Sequence, residues 1–198
     1  MKNYRQANKG KAFEGFIQYA SLAYKAEGMA MIDKQFVEIL PIRDGRGKVV
    51  SCKVGSKSTV DYLGRYKHYP IAIEAKDTKS DAMRFHAVED HQAAYLRDFI
   101  AGGNGIGLVL ISFDLSRYFA VPAIFWLAAR DAWGEARRRG KRKAEPITIT
   151  AYGQTWTTTG KASVRPEELL PEWECHRHPR YGLHFLQRAE QYITPQQP

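Results

Sequence analysis

The hexapeptide Ile71-Ala72-Ile73-Glu74-Ala75-Lys76 limits what this chain can fold into more than any other stretch. Its apolar first half reads as a strand buried on both faces. Strand geometry then puts Glu74 and Lys76, two positions apart, on one face. A plain ion pair at a strand end accounts for these two residues alone. Asp61 adds a second carboxylate, because a hairpin turning at Gly64 returns Glu74 to the side of a preceding strand expected over residues 58–63. Facing carboxylates repel unless a proton or a cation lies between them, so the pair implies a divalent metal. Oxygen-only ligation points to magnesium, with manganese as the alternative. Such a set suits phosphodiester hydrolysis: the metal neutralises the scissile phosphate and acidifies a water, and Lys76 orients that water or stabilises the developing charge.

The charge of the chain fits that chemistry. Lysine and arginine number 30 against 21 aspartate and glutamate, for a net +9 and a pI near 9.5, which favours a polyanionic partner. Membrane surfaces attract basic proteins too, but no transmembrane segment and no membrane partner is expected: the longest apolar stretch, Phe119 to Ala129, is too short to span and contains Pro122. The segment Met1 to Lys11 is polar and basic without a hydrophobic region behind it, so the expected compartment is the cytoplasm. Cys52 and Cys175 are read as reduced. The 198 residues are expected to form a single domain over 1–198, with one site per chain.

Periodicity organises the rest. After a mobile basic leader, Phe13, Phe16, Ile17, Ala20 and Tyr24 predict a helix over residues 10–27. A strand from Ala30 to Leu40 leads into a protruding hairpin at 41–57, whose turn is Asp44-Gly45-Arg46-Gly47. Strands follow at 58–63 and 69–76, then a helix over 87–101 stopped by Gly102-Gly103, and a buried strand over 106–113. The predicted core is thus α/β in the order αβββαβ, a mixed sheet flanked by helices. A helix over 123–139, a basic run from Arg137 to Lys143, a strand pair over 147–159 and a proline- and histidine-rich tail follow; residues 146–198 are expected as a C-terminal extension.

Three segments carry a resemblance: Ser58-Thr59-Val60-Asp61-Tyr62-Leu63-Gly64, Ile73-Glu74-Ala75-Lys76-Asp77-Thr78, and His91-Gln92. With Asn8-Lys9-Gly10-Lys11-Ala12-Phe13-Glu14 and Gly28-Met29-Ala30-Met31-Ile32-Asp33-Lys34 upstream, they resemble the motif series of the RecU Holliday-junction resolvases over roughly residues 8–113. The resemblance implies a PD-(D/E)xK restriction-endonuclease-like core with a β-hairpin stalk that enters a four-way junction. It implies magnesium on Thr59, Asp61, Glu74 and Gln92, and a transition-state role for Lys76. The plain alternatives are a packed strand threonine at Thr59 and a buried helical glutamine at Gln92. Glu14 reads plainly as a solvated helix residue; the resemblance has it approach the metal through water or contact a catalytic neighbour.

The expected function is a homodimeric, structure-selective DNA endonuclease (a hydrolase of recombination and repair in a bacterial cell or phage-infected host), each subunit nicking one strand of a branched, four-way junction. The dimer follows from the family and from the two-fold symmetry of the junction. Expected DNA contacts are Arg43, Arg46, Lys48, Lys53 and Lys57 on the stalk and Lys9 and Lys11 in the leader. The run Arg137 to Lys143 is either a backbone contact or a solvated loop, and Tyr62, Tyr66 and Tyr69 stack on bases or pack in the core. Cys175, His176 and His178, with Cys52 or His184, fall short of a zinc set. Two other readings remain: a nuclease of the same core that cuts other DNA in repair or defence, and a non-catalytic junction-binding module.

Overall fold

The computed structural model describes residues 4–55 and 59–193, with side chains from residue 10 onward in the first helix. The chain runs α1 (Tyr4–Ala26), β1 (Ala30–Lys34), the hairpin of β2 (Ile39–Arg43) and β3 (Val49–Val54), β4 (Tyr62–Tyr66), β5 (Tyr69–Thr78) and the short β6 (Met83–Arg84). It continues with α2 (Asp90–Ala101), β7 (Ile106–Phe113), β8 (Arg117–Pro122), α3 (Ala123–Arg138), the hairpin of β9 (Thr148–Ala151) and β10 (Gln154–Thr157), and β11 (Ser163–Val164), which pairs with β6. The main sheet has the order β1-β4-β5-β7-β8. Only β5 and β7 run parallel, joined by the crossover helix α2 that parallel pairing requires. The expected αβββαβ order is present, with the β2–β3 hairpin inserted between its first two strands.

Several boundaries differ from the sequence reading. The basic leader is helical from Tyr4, so α1 starts before Gly10. The first strand stops at Lys34, and the hairpin begins at Ile39 instead of 41. Gly64 is not a turn: it lies inside β4 opposite Ile71, and a Cβ there would stand 1.9 Å from Met31 O on β1. Only a residue without a side chain lets the two backbones approach so closely. The turn falls at Lys67 and His68, with Lys67 at φ 54°. The apolar run from Phe119 divides at Pro122, where β8 ends and α3 begins; this edge strand is absent from the sequence reading.

Register assigns the faces. Gly107, paired with Ala72, has Ile100 and Ala123 above it, so Ala72, Glu74 and Lys76 point toward α2 and α3. Tyr118, opposite Ser112, stacks on Phe13 with ring centroids 5.9 Å apart, so that face lies under α1. β7 is buried at every position.

Residues 146–193 contribute buried side chains to the core. Trp173, Cys175, Leu183, Phe185, Leu186 and Tyr192 are all buried. Trp173 packs on Phe125 with centroids 4.9 Å apart, and its Nε1 donates to Gln154 Oε1 at 2.9 Å. Cys175 N donates to Tyr118 O at 2.7 Å, and Arg117 forks onto Glu174 with two bonds of 2.7 Å, which covers the outer edge of β8. Both cysteines are free thiols, Cys52 exposed and Cys175 buried. Among the described residues no helix is long and apolar enough to cross a membrane.

Candidate active site

The β4–β5 pairing creates the site. Tyr62 lies opposite Ile73, and continuing that antiparallel register one step puts Asp61 opposite Glu74. A turn at Gly64 could not have done this, because the midpoint between 61 and 74 falls at Lys67 and His68. Thr59 to Asp61 form a bend just before β4, so the strand expected over 58–63 starts only at Tyr62. Two backbone bonds fix the bend: Gln35 N donates to Asp61 O at 2.8 Å, and Ala75 N donates to Asp61 Oδ2 at 2.9 Å. One oxygen of Asp61 is thereby anchored on the strand that carries Glu74.

Glu74 has no solvent exposure. Lys76 Nζ lies 2.6 Å from its Oε1 as an ion pair, without the alignment of a hydrogen bond, and Oε2 is buried without a partner among the described residues. Burial, and next the negative field of Asp61, push the Glu74 carboxyl up to about 8 against the attraction of Lys76. A carboxylate in this position costs free energy to ionise unless more positive charge arrives. Lys76 also donates to Gln92 Oε1 at 3.3 Å. Gln92 is the buried helical glutamine of the plain reading and something more: Oε1 accepts from Glu89 N at 2.9 Å, closing a capping box at the start of α2, and so links that helix to Lys76.

The other expected residues divide. Thr59 is exposed and lines an open groove between the start of α2 and α3. Glu14 pairs with Lys34 at 2.5 Å, and its charge is felt by Tyr62 under α1. Tyr62 and Tyr66 are buried core residues, which removes them as stacking platforms, whereas Tyr69 is partly exposed. Arg43, Arg46, Lys48 and Lys53 are all exposed on the hairpin, and Asp44 Oδ1 shapes its tip by accepting from Arg46 N and Lys48 N, each at 2.9 Å. Lys11 is exposed on α1; the Lys9 side chain and Lys57 lie outside the described residues. The hairpin is as apolar as it is basic: Ile39, Leu40, Ile42, Val49, Val50 and Val54 are exposed on it. Among the described residues no group of three or more His, Cys, Asp and Glu gathers as a metal cage, which leaves the zinc set of Cys175, His176 and His178 unassembled.

The family model of Recombination protein U (RecU) matches residues 8–165, well beyond residue 113 where the sequence resemblance fades. The chain belongs to the RecU family. Among named RecU proteins, Holliday junction resolvase RecU of Streptococcus equi subsp. zooepidemicus is 35% identical over 128 residues, 59% of this chain and 61% of that protein. The RecU of Streptococcus suis is 33% identical over 127 residues, covering 59% and 60%. That of Streptococcus thermophilus is 34% identical over 127 residues, covering 59% and 62%. The chain therefore spans about three fifths of the length of the RecU relatives it matches. The solved structure of Hjc, a Holliday junction resolvase from Archaeoglobus fulgidus, is similar to 43% of this chain and 64% of that one, with 17% identity and a TM-score of 0.29.

Proposed function

We propose that this RecU protein is a structure-selective endonuclease that resolves four-way DNA junctions by metal-dependent phosphodiester hydrolysis. The observation that carries the reading is Glu74: fully buried, with one oxygen unpartnered, beside Asp61 and 2.6 Å from Lys76. A binding module has no use for clustered carboxylates facing a polyanion. The names of the streptococcal relatives point the same way.

The donor set fits a hard divalent cation, since carboxylate oxygens predominate and one is unsatisfied. Asp61 and Glu74 would hold it, with Gln92 and Thr59 in the roles that family membership suggests; magnesium is the first choice and manganese the alternative. When bound, such an ion neutralises the scissile phosphate and acidifies an attacking water. The protein's own part is positional. Ala75 N–H holds Asp61 in register, the Gln92 cap holds the start of α2 against Lys76, and the Lys76 ammonium stands ready to stabilise charge on the phosphate oxygens.

Arg43, Arg46, Lys48 and Lys53, together with Lys57, suit the phosphates crowded at a junction centre. A two-stranded ribbon with exposed apolar side chains is marginal by itself and favours a covered position. With exposed Tyr19, Leu22 and Phe36 it supports the homodimer, in which each subunit nicks one strand. Work on recombining DNA accords with the cytoplasm of a bacterial or phage-infected cell, and the shared core of residues 146–193 supports one nuclease domain with the hairpin as its insertion.

The test is cleavage of a four-way junction and a linear duplex of equal sequence, with magnesium and with chelator. Wild type should nick the junction symmetrically, and Asp61→Asn, which keeps an oxygen for Ala75 N–H, should bind without cutting. Cutting of both substrates would make the protein a general nuclease; tight binding with no cutting under any divalent ion would make it a binding module. Neutralising Arg43, Arg46, Lys48 and Lys53 should erode the preference for junction over duplex.

A further inference from the structure

An open groove of about 820 Å³ is lined by Thr59, two residues before Asp61, by the start of α2 and by α3. Its wall on α3 is built around Trp133. His86 stacks on that indole with centroids 5.3 Å apart and planes 18° apart, and the Arg137 guanidinium lies over it at 5.5 Å. The ring is thus engaged already, and it serves to hold the two basic side chains.

The arginines of the groove are not equivalent. Arg130 donates to Val88 O at 3.0 Å and pairs with Asp90, and Arg138 pairs with Glu135 at 2.6 Å. Arg137 is exposed and makes no ion pair among the described residues. The acidic residues at the α2 end have partners of their own: Asp90 takes Arg130, and Glu89 caps α2 and lies 3.5 Å from His91. The wall is positive as His86 experiences it, since after burial the causes that lower its pKa are Arg84, Arg137 and Arg130.

Gly134 adds an independent sign. It sits inside α3, where glycine weakens a helix, yet a Cβ there would meet only Arg138 Nη1, at 3.9 Å. No packing demand accounts for the missing side chain, and its absence keeps the groove floor open.

We infer that this groove is a track for the sugar–phosphate backbone of the DNA flanking the scissile phosphate, with Arg137, held by Trp133, as its phosphate contact. The inference rests on the nuclease reading and extends it to residues outside the stalk. A backbone track carries no sequence information, so it should serve junction arms and plain duplex alike.

The experiment is equilibrium binding of a labelled linear duplex and a four-way junction in chelator, across a range of salt, for wild type, Arg137→Ala, Gly134→Glu and Arg139→Ala. Arg139 is exposed on the same helix end but does not line the groove. Arg137→Ala should weaken both DNAs by roughly three- to tenfold and lower the salt slope by about one. Gly134→Glu should weaken both further while its thermal midpoint holds or rises, a combination that misfolding cannot produce. Arg139→Ala should match wild type. If Arg137→Ala and Gly134→Glu bind both DNAs as wild type does, the track is refuted and the nuclease reading stands. If wild type binds neither DNA, both fall.

Discussion

Replacing Glu74 with glutamine should stabilise the metal-free protein, increasingly so as pH rises. Burial and Asp61 lift the folded-state pKa of Glu74 from 4.5 to about 8. Between those values the native state holds a proton that the unfolded state has released, so wild-type stability falls as pH rises through the window. At about 1.4 kcal/mol per pH unit the loss is about 3 kcal/mol by pH 7 and roughly 5 kcal/mol above pH 8. Glutamine has a similar shape and no such titration, and whatever its amide costs in the buried site does not change with pH. The assay is thermal unfolding of both proteins in chelator from about pH 5 to pH 8.5. At about 2–4 °C per kcal/mol for a chain of this size, the midpoint of Glu74→Gln should gain on wild type by the order of 10 °C across that range. Magnesium at pH 8 should close most of the gap by stabilising wild type alone. Parallel curves, with a difference independent of pH, would refute the argument that Glu74 is held protonated by its surroundings.

Three further outcomes are expected. Lys76→Met removes the cation paired with Glu74 and should lower junction cleavage by roughly 10²- to 10³-fold with little effect on binding; a rate within tenfold of wild type would take Lys76 out of the transition state. Gly64→Ala should cost about 3 kcal/mol in urea unfolding, because its methyl would collide with the β1 backbone, and a cost near zero would mean that β1 moves aside freely. Deleting the chain from Pro166 onward strips Trp173, Phe185, Leu186 and Tyr192 from the core and should abolish cooperative unfolding; a truncated protein with a sharp transition would restore this segment to the status of an appendage.

The fold was legible where pattern and burial coincide. The run over 106–113 became β7 without adjustment, and the Ile71-Ala72-Ile73 strand became the centre of β5, because continuous apolar residues of strand length have few other uses. The αβββαβ order followed from these and from the two helical periodicities. β8 escaped because its residues adjoin a helix of similar polarity, so that only pairing with β7 separates strand from helix at Pro122. The tail from residue 166 escaped for a related reason: it reaches the core through single aromatic side chains on short turns, which leave no period to detect.

For the site, residue chemistry was enough to single out Asp61, Glu74 and Lys76, since charges beside a buried strand are costly and few arrangements repay them. Sequence alone could not say how they meet. Gly64 looks like a turn and is instead a contact point between two backbones, and the turn at Lys67 and His68 sets the register that faces Asp61 toward Glu74. The groove wall of His86, Trp133 and Arg137 is likewise a product of tertiary structure, because the 3₁₀ turn Phe85–Ala87 and α3 are far apart in the chain and pack directly on each other only in the folded core. Local propensity and polarity act through neighbours along the chain and so can be read from it; register, strand order and the partners of a buried charge depend on long-range pairing and are decided only when the whole core closes.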